Sequence, residues 1–229
     1  YTMEGRKAVS LLADAYGLSV YESGEAKDVT ITLDLMKRTA QASRLSPWLG
    51  RVKKGNPRVG HIYGLGVAGY WGSTIEIETA AFPARTQGKG TIRFNDTAGS
   101  MAKDSVSTAA AVVRLVTGKD LSDYDLHVNI VGGGNIDGPS AGAAITCAIV
   151  SAVENRPLRQ DLAVTGEISL SGDVKPVGGV MEKAFGARQA GMKGILIPAE
   201  NKADIDAKTL GIEVIPVTYI RDVLDTMLV

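Results

Sequence analysis

One segment of this chain decides what must surround it. From Pro139 to Asn155 the residues are apolar on nearly every side, so a helix there has no face to give to water and belongs in the interior. Before it runs Gly132-Gly133-Gly134-Asn135-Ile136-Asp137-Gly138, and before that Asp125 to Val131 reads as a strand. The order is strand, glycine-rich turn, buried helix. Pro139 suits the first helical turn, where its missing N–H costs nothing. Ser140 then stands at the helix N-terminus, where free backbone N–H groups and the positive end of the helix dipole converge. A hydroxyl beside such an anion-stabilising spot is what acyl transfer requires. The plainer reading is a capping serine after an ordinary turn, and the local pattern alone does not separate the two.

The rest of the chain reads as two parts. Glu4 to Tyr16 has helical spacing, with Ala8, Leu11, Leu12 and Ala15 on one stripe and Gly17 as its stop. Val29 to Thr32 is extended, and Thr32 caps a helix running to about Ser43. Arg51 to Arg58 is basic and Gly/Pro-marked, a linker. From Val59 the pattern is mixed α/β. Strands are expected at Val59–Ala68, Thr74–Thr79, Gly90–Phe94, Asp125–Val131, Leu162–Leu170, Ile195–Pro198 and Ile212–Val217. Helices are expected at Met101–Val116, Pro139–Asn155, Gly179–Ala190, Glu200–Leu210 and Tyr219–Met227. The expected division is a helical segment over 1–50 and an α/β domain over 51–229.

Composition removes several classes of function. The chain of 229 residues is 45% apolar, enough for a packed core. Its 25 Lys and Arg balance 25 Asp and Glu, so no basic surplus calls for nucleic acid. Cys147 is the one cysteine, which excludes an internal disulfide and fits a reducing, cytoplasmic setting. The longest near-apolar run, Ala141 to Val153, is short of the ~20 residues of a membrane span. No basic-then-apolar leader opens the chain. The first residue is Tyr1, which reads as a cut from something longer.

Three chemical readings of the Ser140 loop are testable along the chain. Gly138-Pro139-Ser140-Ala141-Gly142 matches the G-x-S-x-G elbow, but that layout needs a histidine after the serine. His61 and His127 both come before it, and each reads as a polar group on a strand. A phosphate loop of the Walker type needs a G-K-[ST] triplet, which is missing, and Asp137 falls where the last glycine of G-x-G-x-x-G should be. A serine peptidase with a different base remains: His61 or His127 in a chymotrypsin-like order, or a lysine, since burial or a nearby positive potential lowers a lysine pKa. Lys183 lies in the first turns of a helix, where the dipole disfavours an ammonium. Spacing alone does not single it out from Lys175, Lys193 or Lys103.

The residues resemble the Lon protease family in several blocks. Asp137 to Gly142 resembles its serine motif, Thr165-Gly166-Glu167-Ile168-Ser169-Leu170 the strand that follows, and Pro176 to Lys183 its lysine motif. Ala190-Gly191-Met192 and Ile197 to Asn201 resemble later blocks, Val59 to Thr79 and Met101 to Ser105 earlier ones. Ser140 and Lys183 are 43 residues apart, the family's usual spacing. The resemblance covers roughly 57–229 and implies an α/β (α+β) Lon-type fold, with mixed sheets and packed helices behind a small helical segment. It implies a Ser140–Lys183 dyad, with Thr165 orienting Lys183 and Asp137 shaping the serine loop. The short, glycine-rich loop, Asn129 in place of a second histidine and Ile136 in place of a lysine are similar to the LonB-like branch.

Residues 1–45 resemble the end of an AAA+ helical subdomain, carried by Ile31 to Pro47. The resemblance implies an ATP-dependent serine endopeptidase of unfolded proteins. ATP and Mg would be bound by the part that precedes this chain, and no cofactor or metal is expected within it. It further implies a homo-hexamer, with polypeptide substrates and neither nucleic-acid nor membrane partners. Two other readings are a non-proteolytic Lon-fold module of the DNA-repair type and a small-molecule kinase with a Gly/Ser loop.

Overall fold

The computed structural model describes residues 3–24, 29–42, 55–68, 71–94, 100–131, 138–205 and 210–229. Two compact units emerge, Tyr1–Leu49 and Gly50–Val229.

The first unit is a pair of helices, α1 (Met3–Ser23) and α2 (Leu33–Ala42). Ala15 and Leu35 are buried within it. Arg38 forks onto Glu22 with both terminal nitrogens, at 2.7 and 3.1 Å, tying α2 to α1. The Thr32 hydroxyl accepts from the Leu35 N–H at 3.2 Å, as expected of a cap. Gly17 does not stop α1, which continues to Ser23. A helical glycine costs about 1 kcal/mol, and the packing of α1 on α2, with Ala15 buried, outweighs one such residue.

The second unit is built on a seven-stranded sheet. Its strands are β2 (His61–Ala68), β3 (Trp71–Pro83), β4 (Ile92–Phe94), β5 (Tyr124–Val131), β7 (Leu162–Val164), β10 (Gly194–Pro198) and β11 (Glu213–Val217), in the order β11-β10-β7-β2-β3-β5-β4. Two small ladders lie beside it, β1 (Arg58–Val59) with β6 (Pro157–Leu158) and β8 (Glu167–Ile168) with β9 (Val174–Lys175). Strands β2, β7, β10 and β11 run parallel, while β3 is antiparallel to both β2 and β5. The helices are α3 (Ser100–Thr117), α4 (Gly142–Glu154), α5 (Val180–Gln189) and α6 (Ile220–Met227).

Period-two alternation divides the apolar residues between the two faces of the sheet. Ile62 of β2 and Leu196 of β10 join the core that contains α3, α4 and α6. Tyr63, Leu65, Ile195 and Ile197 join a second core with Val180, Ala184 and Ala187 of α5. Helix α4 is buried from Gly142 to Ser151, as its all-round apolar sequence requires. Each large side chain taken out of water there contributes roughly 1.5–3 kcal/mol. The polar groups of α4 are bonded inward, Thr146 to the Gly142 carbonyl at 2.8 Å and Ser151 to the Arg156 carbonyl. The helix ends at Asn155 in the left-handed conformation, φ 54°.

Several expectations shift. The strand expected over Leu162–Leu170 is two pieces, β7 and β8, broken at Thr165-Gly166. Within the helix expected over Glu200–Leu210, Ala199–Asp204 form a 3₁₀ segment and Leu210 is helical, while 206–209 lie outside the described residues. There the Asn201 side chain bonds Val177, accepting from its N–H at 2.9 Å and donating to its carbonyl at 3.1 Å. Strand β3 is 13 residues long rather than the six of Thr74–Thr79, because pairing with both β2 and β5 extends it beyond its alternating stretch.

Candidate active site

Ser140 lies in a 3₁₀ turn, Pro139–Ala141, that leads directly into α4. Gly138 before it has φ 139° and ψ 154°, a backbone conformation open only to glycine. Proline stands first in the turn, as the sequence indicated. The turn is fastened to the segment after β7 by three bonds. The Ser140 carbonyl accepts from the Gly166 N–H at 2.9 Å and from the Thr165 hydroxyl at 3.3 Å, and the Ala143 N–H donates to the Gly166 carbonyl at 3.0 Å. The approach is close. A Cβ on Gly166 would meet Val174 at 2.4 Å, and one on Gly142 would meet Ile168 at 2.9 Å. Gly142 therefore lets the start of α4 press onto β8, and Gly166 lets the segment that holds the serine turn lie against β9, roles the sequence motif did not reveal.

Lys183 is in the first turn of α5, its N–H bonded to the Gly179 carbonyl at 3.0 Å. Gly179 caps α5 from the left-handed region, φ 66°. The lysine is 3% exposed. Burial pulls its ammonium down to about 8 from an ordinary value of 10.5. A second glycine pair sets its position. A Cβ on Gly72 of β3 would stand 1.8 Å from the Glu182 carbonyl oxygen, and one on Gly186 of α5 would stand 2.2 Å from Gly72. Helix α5 thus rests backbone to backbone on β3, and Lys183 is carried into the protein. Gly186 had a legible signal, since glycine is expensive inside a helix and is kept where another backbone needs the space.

Both segments lie at the same end of the sheet. Thr165 and Gly166 follow the carboxyl end of β7, which is in register with β2 through Tyr63–Ala163 and Gly64–Val164. The Ser140 turn packs against β2 and β8. A Cβ on Gly179 would lie 2.8 Å from Val67, near the carboxyl end of β2. The carboxyl ends of parallel strands are where α/β sheets place their reactive groups. Thr165, fully buried, gives its hydroxyl to Ser140 rather than to Lys183. Asp137 lies outside the described residues.

The two histidines take separate places. His61 is buried at the start of β2 with its Nε2 against Glu76. His127 is exposed on β5, where its ring meets Phe82 edge-on at 6.4 Å.

Residues 47–229 match the Lon protease (S16) C-terminal proteolytic domain. The chain belongs to the Lon protease family. It is 40% identical over 244 aligned positions to Lon protease 2 of Bacillus subtilis (strain 168), covering all of this chain and 43% of that protein. It is 40% identical over 182 positions to the Archaeal Lon protease of Thermoplasma volcanium, covering 75% of this chain and 28% of that protein. To the Lon protease of Vibrio parahaemolyticus it is 35% identical, over 89% of this chain and 27% of that protein. The chain spans less than half the length of these curated relatives. Its Lon proteolytic domain is a serine-type peptidase with the mixed α/β fold that the motif blocks implied, and the archaeal relatives accord with the LonB-like loop. The kinase and repair-module readings have no support beside this match. Among the described residues no helix is long and apolar enough to cross a membrane.

Proposed function

We propose that this chain is the proteolytic part of an ATP-dependent Lon endopeptidase that degrades unfolded polypeptides, with Ser140 as nucleophile and Lys183 as general base. The observation that carries the reading is Lys183 itself, a buried lysine on the first turn of a helix, lowered to about 8. A base must be neutral near the working pH to accept a proton, and a lysine at its ordinary value is not.

The steps follow from the groups present. Ser140 Oγ attacks the peptide carbonyl carbon while Lys183 Nζ takes the Oγ proton. The carbonyl π pair moves to oxygen, giving a tetrahedral oxyanion. Of the N–H groups entering α4, that of Gly142 is engaged by the Pro139 carbonyl and that of Ala143 by Gly166. The donors we assign to the oxyanion are therefore the N–H groups of Ser140 and Ala141. The oxyanion collapses, the C–N bond breaks, and the Lys183 ammonium returns its proton to the departing amine. A water deprotonated by Lys183 then hydrolyses the acyl ester on Ser140. Thr165 acts by holding the Ser140 carbonyl, and Asp137 is assigned the shaping of the preceding loop.

Unfolding of substrates, ATP and Mg are assigned to the portion of the protein outside this chain, with residues 1–50 as the end of an AAA+ lid. We assign a homo-hexamer and a cytoplasmic setting to the whole protein. These readings rest on the motif blocks and on relatives more than twice as long as this chain. The test is casein cleavage by the intact protein. Ser140→Ala should abolish it while leaving assembly unchanged, and retained cleavage would sink the reading. Lys183→Ala should be inactive at neutral pH and partly restored at high pH by added amine.

A further inference from the structure

At the other end of β2 the hairpin with β3 brings together a second set of chemical groups. His61 stands opposite Glu78 in the ladder, and Tyr63 opposite Glu76. Alternation along paired strands puts His61, Glu76 and Glu78 on one face as direct and diagonal neighbours. One nitrogen or oxygen from each lies within 4.8 Å of the others, the one such group among the described residues. His61 is 2% exposed, and its Nε2 faces Glu76. Its Nδ1 is buried without a hydrogen-bond partner, so nothing on the far side ties the ring down. The His61 backbone is held, because the buried Gln160 amide donates to its carbonyl at 2.8 Å. The Tyr63 ring meets the imidazole edge-on at 5.2 Å.

Two carboxylates so close repel unless a cation lies between them. Among the described residues Arg58 supplies it, reaching Glu78 at 3.4 Å and Glu76 at 3.7 Å through different nitrogens. Its side chain is 52% exposed, and neither contact is the two-pronged fork that makes an arginine–carboxylate pair strong. An imidazole with two carboxylates is the donor set of a borderline transition metal, and its charge balances a divalent ion.

We propose that His61, Glu76 and Glu78 bind one divalent transition-metal ion of the Zn²⁺ class, which displaces the Arg58 guanidinium. His61 supplies one ring nitrogen, each glutamate supplies one oxygen, and water completes the coordination. The ion clips β2 to β3 and takes no part in peptide hydrolysis. Val67 is six positions along β2 from His61, so the site is about 20 Å along the strand from the α5 N-terminus.

The test is calorimetric titration of the chelator-treated chain with ZnCl₂, and with MgCl₂ as the hard-cation control. One Zn²⁺ per chain is expected, with Mg²⁺ bound far more weakly. Glu78→Gln, a partly exposed position that the fold tolerates, should weaken Zn²⁺ binding at least tenfold. Arg58→Ala should tighten it severalfold by removing the competing cation, and Zn²⁺ should raise the melting temperature of this variant and of the parent but not of Glu78→Gln. Absence of stoichiometric binding, binding indifferent to Glu78→Gln, or binding weakened by Arg58→Ala would overturn the proposal. The last result would mark the cluster as an ion-pair network that needs its arginine.

Discussion

Lys183 and His61 are both basic, both almost wholly buried, and stand near opposite ends of β2. They have been buried in different ways. His61 is met by Glu76, with Arg58 beyond it, so its polar edge is answered. Lys183 has no carboxylate paired with it among the described residues, and burial is the cause of its lowered pKa. A fall from 10.5 to about 8 corresponds to about 3 kcal/mol of disfavoured charge. The protein bears that cost at Lys183, whereas at His61 a carboxylate stands against Nε2. An answered group holds a fold together, whereas an unanswered base is ready to take a proton.

The largest effect expected from this contrast is on activity. Ser140→Ala and Lys183→Ala should each lower kcat/KM for peptide cleavage by about 10⁴-fold or more, measured on the intact protein. Replacing His61 with Gln should leave kcat/KM within severalfold while lowering the melting temperature. A comparable loss of activity in both basic-residue variants would erase the distinction between the two ends.

Stability should move the other way. The depressed pKa means that the folded state binds fewer protons than the unfolded chain between about pH 8 and 10.5. The cost of burying Lys183 is therefore present in full below about pH 8, fades through that window, and is absent above 10.5. Lys183→Met should stabilise the inactive protein by up to about 3 kcal/mol at neutral pH and by almost nothing above pH 10.5. Denaturant midpoints at the two pH values check this. Destabilisation at neutral pH would mean that the ammonium has a partner after all.

The glycine seat of α5 comes next. Gly186→Ala would drive a methyl group to 2.2 Å from Gly72, so the helix must shift and carry Lys183 with it. Overpacking of this kind costs about 1–3 kcal/mol, and a displacement of about 1 Å near a reacting group costs about 100-fold in rate. Equilibrium unfolding and kcat, taken together, read both. The smallest expected effect is at Thr165. Valine there removes the 3.3 Å bond to the Ser140 carbonyl but leaves the Gly166 N–H in place. About 1 kcal/mol, or severalfold in kcat with KM little changed, is the expected loss. Thr165→Ser, which restores the hydroxyl, should recover it.

Much of the fold was legible because it rests on local signals. The all-round apolar pattern placed α4 inside, Pro139 marked the turn and Thr32 capped α2. Ser140 and Lys183 were legible as members of motif blocks, and their placement at one end of the sheet accords with that reading. What sequence could not supply is long-range. The order β11-β10-β7-β2-β3-β5-β4 depends on which strands find each other across the chain. The break at Thr165-Gly166 exists because the Ser140 turn claims the backbone there. The 3₁₀ segment at 199–204 carries a long-range bond pair, from the Asn201 side chain to the Val177 backbone, that no local pattern announces. The depth of Lys183 depends on Gly72, more than a hundred residues away. The His61 cluster looked like a lone polar residue on a strand, since only the β2–β3 register reveals the glutamates opposite it.

Whether Lys183 is the base is read from the pH dependence of kcat/KM for cleavage of an unstructured peptide. A rise governed by one ionisation near pH 8 is expected, because neutral Lys183 is the active form. A profile flat from pH 6.5 to 9.5, or one that rises with an ionisation near 6.5, would contradict it.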